Sequence, residues 1–212
     1  MDDRVELKID VFDFPGQTAK VLKSLTVREL IEETLLEFEE LPFLDSNAPW
    51  NYDLRPPDEG PPYSPEKTIA EHRLTRGTEL VLVERPVILP PGATAMPGHV
   101  YLIYVRKSDT DIRRVFKLAW QPAIIGRPDT LQPMNDLLAV NLESFPTGLR
   151  VSRRHAKIYE SGGRYFLESM SNNPIFINDD TDPLSGAREL TNGDQIHLER
   201  SDITLQFIER PE

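Results

Sequence analysis

Cysteine is absent from the chain, which excludes disulfide scaffolds, zinc–thiolate sites and thiol nucleophiles together. The absence also fits a reducing compartment, and a cytoplasmic location is expected. No apolar run reaches membrane-spanning length, and Met1-Asp2-Asp3-Arg4 leads into an alternating segment rather than a signal peptide. Basic charge is in deficit: 24 Lys and Arg stand against 35 Asp and Glu, a net charge of −11. Nucleic-acid binding needs a basic footprint, so this balance argues against it. No internal repeat, nucleophile elbow or Gly-rich phosphate loop is visible, and His72, His99 and His197 lack metal-ligand spacing. What is present is a chain of 212 residues, 39% hydrophobic and 28% charged, of soluble globular character and long enough for two domains.

The charge is uneven. Residues 1–97 hold 19 acidic and 10 basic side chains, whereas residues 98–212 hold 16 and 14. An anionic ligand is least repelled by the second half. There, Arg150-Val151-Ser152-Arg153-Arg154-His155-Ala156 concentrates three arginines within five residues. Arginine forks and a serine hydroxyl are suited to a compact anion, with phosphate the natural candidate.

Proline and glycine mark the boundary between the halves. Pro86 to Gly98 contains four prolines and two glycines in thirteen residues, a composition that continues neither a helix nor a central strand. Residues 87–98 are therefore expected to be a semi-stiff linker. Before it, Val5, Leu7, Ile9 and Val11 alternate as in a half-buried strand. Pro15-Gly16 is expected to turn the chain into a second strand through Ala19, Val21 and Leu22. Thr26-Val27-Arg28-Glu29 has capping-box spacing, and Leu30, Ile31, Thr34, Leu35 and Phe38 recur at helical spacing up to Pro42. Residues 45–65 read as a long irregular connection, Thr68 to Glu71 as a short turn or helix, and Leu80 to Val83 as a buried strand.

A hairpin, one helix, a long loop and a terminal strand resemble a ubiquitin-like β-grasp domain over residues 1–86. More narrowly, this segment is similar to the bacterial ubiquitin-like proteins found beside type VII secretion systems. No Gly-Gly tail ends the chain, so the resemblance implies docking to a protein partner rather than conjugation.

Residues 99–212 read as an all-β sandwich: short runs rich in β-branched and aromatic residues, separated by turns such as Ser161-Gly162-Gly163 and Asn192-Gly193. Gly126-Arg127, Ser152-Arg153-Arg154-His155, Asn173 and Leu190 to Leu198 occur in the order of the scattered signature of forkhead-associated (FHA) domains. This resemblance implies a β-sandwich whose loops at one end bind phosphothreonine peptides, without a cofactor or a metal. Arg127 is then expected to contact the phosphate, Ser152 to donate its hydroxyl to it, and Arg153 to add a phosphate or peptide contact. Asn172 and Asn173 align with residues that contact the phosphothreonine and hold the peptide backbone. Gly126, His155 and Gly193 carry the structural part of the motif, His155 bracing the loop. A phosphothreonine brings about −1.5 to −2 charges for these donors to meet.

Two features depart from the pattern. Asn173-Pro174-Ile175 stands where the family carries Asn-Gly-Thr, so the loop is expected to run differently there. The segment 128–151, with Pro128, Pro133, Pro146 and Gly148, reads as an inserted loop able to shape or obstruct the pocket. Rival readings exist for single residues. Arg127 can be an ion-pair partner and Arg150 and Arg154 rim charges. Ser152 and His155 lack the third group of a catalytic set. Asn178, Asp180, Asp182 and Glu189 fall at calcium-loop positions, yet Pro183 occupies the turn-glycine place, so an acidic hairpin is expected. The acidic helix face around Glu32, Glu33, Glu37, Glu39 and Glu40 is solvated or docks a basic partner. The expectation is a non-enzymatic, phosphothreonine-dependent adaptor, not membrane-inserted, downstream of a bacterial Ser/Thr kinase or beside a secretion apparatus. The alternative is a structural assembly subunit whose degenerate FHA domain binds partners independently of phosphorylation.

Overall fold

The computed structural model describes residues 3–107, 113–129, 131 and 137–210. The chain forms two compact units, Met1–Pro86 and Val87–Glu212.

The first unit contains strands β1 (Arg4–Val11) and β2 (Phe14–Leu22), helix α1 (Val27–Glu37), and strands β3 (Tyr52–Arg55) and β4 (Glu79–Glu84). The sheet runs β2-β1-β4-β3, with β1 and β4 parallel at its centre and antiparallel pairs at both edges. Val5, Leu7, Ile9 and Val11 of β1 are buried beside Leu80 and Leu82 of β4 and Leu54 of β3, as period-2 alternation requires of a sheet covered on one face. α1 buries Val27, Leu30, Ile31, Thr34 and Leu35. Its start is fixed reciprocally: the Glu29 amide donates to the Thr26 hydroxyl at 3.2 Å, and the Thr26 amide donates to the Glu29 carboxylate at 2.8 Å. Thr68 and Glu71 repeat the device, with the Thr68 amide donating to Glu71 at 2.8 Å.

Two expectations are corrected in this unit. The hairpin turns at Phe12-Asp13, with Val11 facing Phe14 and Phe12 at φ +51°. Pro15-Gly16 instead lies within β2, where the Gly16 amide donates to the Asp10 carboxylate at 2.6 Å. Residues 45–65 are not wholly irregular either. Tyr52 and Leu54 are buried in β3, which pairs with β4.

The second unit contains β5 (Thr94–Ala95), β6 (His99–Tyr104), β7 (Val115–Lys117), β8 (Trp120–Gln121), β9 (Ala123–Gly126), β10 (Leu138–Asn141), β11 (Arg154–Ser161), β12 (Arg164–Ser169), β13 (Ile175–Ile177), β14 (Ala187–Leu190), β15 (Gln195–Leu198) and β16 (Ile203–Arg210). Among the described residues these form two five-stranded sheets, β10-β9-β11-β12-β14 and β13-β15-β16-β6-β7, with a small β5-β8 ribbon. The core between the sheets is built from inward-facing side chains of both, among them Leu102, Ile125, Ile158, Leu167, Ile196, Leu205 and Phe207, as in an aligned sandwich. The latter half of the Pro-rich stretch belongs to this sandwich and not to a linker. Thr94 and Ala95 pair with β8, Met96 is buried, and the Tyr165 hydroxyl donates to the Pro97 carbonyl at 2.7 Å.

The segment 128–151 is likewise no simple insertion. β10 pairs in parallel with β9, and Val140, Leu142, Phe145 and Val151 enter the core. A short 3-10 turn, Gly148–Arg150, then delivers the chain to Ser152. Pro133 lies outside the described residues. No helix among the described residues is long and apolar enough to cross a membrane.

Candidate phosphate-recognition site

The site begins where β9 ends. Gly126 is wholly enclosed, and a Cβ added there would collide with the backbone carbonyls of Ser152 and Arg153. Only glycine lets the two chain segments approach so closely. That contact seats Arg127 against the following loop: its amide donates to the Arg153 carbonyl at 3.1 Å and its Nε to the Val151 carbonyl at 2.6 Å. Val151 is buried in the core, so a rigid neighbour holds the guanidinium through Nε, a bond that uses one of its five donors.

Ser152 is held from two directions. Its amide donates to His155 Nδ1 at 3.3 Å, and its hydroxyl oxygen accepts from Asn173 Nδ2 at 2.9 Å. His155 is fully buried on β11. Burial disfavours its charged form and pushes its pKa down from 6.5 to about 4. The ring is therefore neutral at neutral pH. An accepting Nδ1 places the proton on Nε2, which is buried without a hydrogen-bond partner. His155 thus braces the Ser152 loop from below. With its oxygen accepting from Asn173, the Ser152 hydroxyl can turn its own proton outward.

Asn173 joins this cluster despite Pro174. Its amide donates to the Ser171 hydroxyl at 3.3 Å, which sets the loop without a glycine. Asn172 is exposed on the same loop and, among the described contacts, makes no hydrogen bond to Arg127 or Ser152. Arg153 is exposed, and its Nη1 lies 3.8 Å from the buried carboxylate of Asp129. The separation is long and the Arg153 side of the pair is exposed to solvent, so the guanidinium has room to turn toward an anion. Arg154 is half-buried, with Nη2 buried and unpartnered. Arg150 is exposed and donates to the Arg200 carbonyl at 3.4 Å. Gly193, at φ +96°, turns the chain into β15 and donates its amide to the Phe207 carbonyl at 2.8 Å.

Two contributors were not singled out from the sequence. Asp129 sits two residues after Arg127, and that spacing was its only signal. Arg200, in the turn between β15 and β16, donates from Nη1 to Asn173 Oδ1 at 3.3 Å. The acidic hairpin is engaged in ion pairs, Asp180 with Arg188 at 3.4 Å and Glu189 with Arg164 at 3.0 Å. Among the described residues no group of three or more His, Asp or Glu side chains is placed to hold a metal ion.

The second unit is thus a β-sandwich with a cation- and hydroxyl-bearing loop cluster at the end of β9 and the starts of β11 and β13. The FHA domain family matches residues 123–199, and the chain carries an FHA domain there. No curated protein matches the chain. Among solved structures, Mycobacterium tuberculosis EmbR in complex with a low-affinity phosphopeptide is similar over 54% of this chain and 25% of its own, at 22% identity and a TM-score of 0.40. This chain therefore spans about a quarter of EmbR. An FHA domain from Chlamydia trachomatis is similar over 54% of this chain and 100% of its own, at 15% identity and a TM-score of 0.39. A designed protein based on ubiquitin is similar over 42% of this chain and 96% of its own, at 25% identity and a TM-score of 0.33.

Proposed function

We propose that the protein is a non-enzymatic adaptor whose second unit binds a phosphothreonine-containing protein. Arg127 and Ser152 take the phosphate, Arg153 adds a mobile cation, and Asn173 with Asn172 holds the flanking peptide. The observation that carries this reading is the convergence of Arg127, Ser152 and Asn173 on one loop cluster, with His155 and Gly126 fixing its geometry. The FHA match supports it, because members of that family are protein-interaction modules rather than enzymes.

The first unit, residues 1–86, acts as a ubiquitin-like β-grasp domain that engages a second protein. Its mixed sheet, with a parallel central pair and α1 buried against it, supports that reading. The Pro-rich stretch that begins at Val87 joins it to the FHA sandwich, which takes in Thr94 to Pro97 as well as residues 99–212. Such an adaptor operates in the cytoplasm, downstream of a bacterial Ser/Thr kinase or beside a type VII-like secretion apparatus. An assembly subunit that ignores phosphorylation is the competing reading, and the unusual Asn173-Pro174 loop favours it.

Fluorescence anisotropy of the full-length protein against arrayed phosphothreonine peptides and their unphosphorylated copies separates the two. Arg127→Ala and Ser152→Ala each lower phosphopeptide affinity by about tenfold or more, the value of a charge-assisted hydrogen bond. Equal binding of phosphorylated and unphosphorylated peptides refutes the adaptor reading.

A further inference from the structure

The turn between β15 and β16 lies outside the residues that the FHA resemblance assigns, yet it is fastened to the candidate site. Ser201 at its tip is fully buried. Its hydroxyl donates to the Leu198 carbonyl at 2.7 Å and accepts from the Ile203 amide at 3.3 Å. Its carbonyl accepts the Thr147 hydroxyl. Thr147 immediately precedes the 3-10 turn that leads to Val151 and Ser152, so the tip and the Ser152 loop are pinned together. Both neighbours of Ser201 adopt left-handed backbone, Arg200 at φ +70° and Asp202 at φ +56°, a conformation uncommon for residues other than glycine.

This geometry aims Arg200 at Asn173, with Nη1 to Oδ1 at 3.3 Å. Ser152, Asn173 and Arg200 then form one hydrogen-bonded row, and Arg127, bonded to the Val151 carbonyl, enters beside Ser152. The Asn173 contact uses one of the five donors of Arg200. Beside Arg200 lies a hollow of about 410 Å3 lined also by Lys107, Phe176, His197 and Thr204. Asp202 at its edge is placed 3.7 Å from Lys107, which offsets its charge. Glu199 remains on the rim and limits the attraction for an anion.

We propose that Arg200 and the hollow beside it read an anionic side chain of the docked segment, so that the preferred partner carries Asp or Glu near its phosphothreonine. This rests on the phosphothreonine reading above. On a chain of net charge −11, an acidic partner is otherwise repelled, and a cation fixed at the site's far end selects for it.

The test uses the full-length protein and phosphothreonine peptides in an alanine background, with Asp, Asn or Lys placed at one flanking position at a time. For the wild type, Asp binds about three- to fivefold tighter than Asn at one or two positions, the range of a solvent-exposed ion pair. Arg200→Gly removes that preference, Arg200→Lys keeps part of it, and Arg200→Glu reverses it toward Lys. Glycine suits the left-handed backbone at this position, so loss of preference in Arg200→Gly does not reflect misfolding. An Asp-to-Asn ratio of one in the wild type, or a ratio unchanged in Arg200→Gly and Arg200→Glu, overturns the inference while leaving phosphothreonine recognition intact. No advantage of phosphorylated over unphosphorylated peptides overturns both.

Discussion

Burial of a neutral histidine beneath the Ser152 loop gives the second unit a specific acid sensitivity. His155 is fully buried, its Nδ1 accepts from the Ser152 amide, and its Nε2 has no partner. Desolvation pushes its pKa down to about 4 from 6.5. The unfolded chain therefore binds a proton at higher pH than the folded one, and stability rises with pH between the two values. The contribution is fully present above about pH 6.5 and lost as pH falls toward about 4, with a total on the order of 3 kcal/mol. Between pH 7.5 and 5 the loss is about 2 kcal/mol. The assay is urea unfolding of the full-length protein, followed by Trp120 for the second unit, at half-unit steps of pH. In His155→Asn, the side-chain oxygen replaces Nδ1 as acceptor without binding a proton, so subtraction of the variant isolates this one group. Histidine NMR of the native state reads the pKa directly. A measured value above 6, or equal pH slopes for wild type and His155→Asn between pH 7 and 5, refutes the reasoning.

In the first unit, Glu29 and Glu71 have pKa values lowered chiefly by the backbone hydrogen bonds they accept from Thr26 and Thr68. Their contribution is lost below the ordinary carboxylate range, at lower pH than the His155 effect. Thr26→Ala removes the cap of α1 and costs about 1 kcal/mol, measured as a lowered urea midpoint of the first unit with Trp50 as reporter; an unchanged midpoint contradicts the capping argument. Gly126→Ala drives a Cβ into the backbone carbonyls of Ser152 and Arg153, which cannot rotate aside. The cost is about 1–3 kcal/mol, and phosphopeptide affinity falls with it because the displaced loop carries Ser152. A wild-type midpoint for Gly126→Ala shows that the approach is looser than described.

Strands with a strong apolar signal of their own were legible. Val5 to Val11 alternate and bury one face, and among the β-branched and aromatic runs of the second unit Val100 to Ile103 is buried on both faces. The capping box at Thr26 was legible because its two hydrogen bonds are local in sequence. β3 was hidden by its brevity and by the Asn- and Pro-rich residues around Tyr52 and Leu54. β10 was hidden for another reason: its parallel partner β9 is a tertiary neighbour, and no turn chemistry marks a parallel pair. The hairpin turn was misplaced because Pro15-Gly16 is a strong local turn signal. At that position the Asp10 carboxylate receives the Gly16 amide inside the strand pair, and the two-residue turn at Phe12-Asp13 wins.

The donor row itself divides along the same line. Gly126, Arg127, Ser152, His155 and Asn173 were legible as an ordered motif, and the physical reason for each becomes visible only in three dimensions. Arg200 was not, since its contact with Asn173 depends on how the Ser201 tip is pinned to Thr147. Pro174 shows how far a local rule reaches. Proline removes an amide and forbids positive φ, which argues that the loop runs differently from one built on Asn-Gly. Here the Ser171 hydroxyl receives the Asn173 amide, and the Pro174 carbonyl accepts from the Glu199 amide at 3.2 Å. The loop therefore needs neither a donor at residue 174 nor left-handed backbone there, and Asn173 reaches Ser152 by a different path. The motif's glycine is one solution to placing the asparagine, and a serine two residues before it is another.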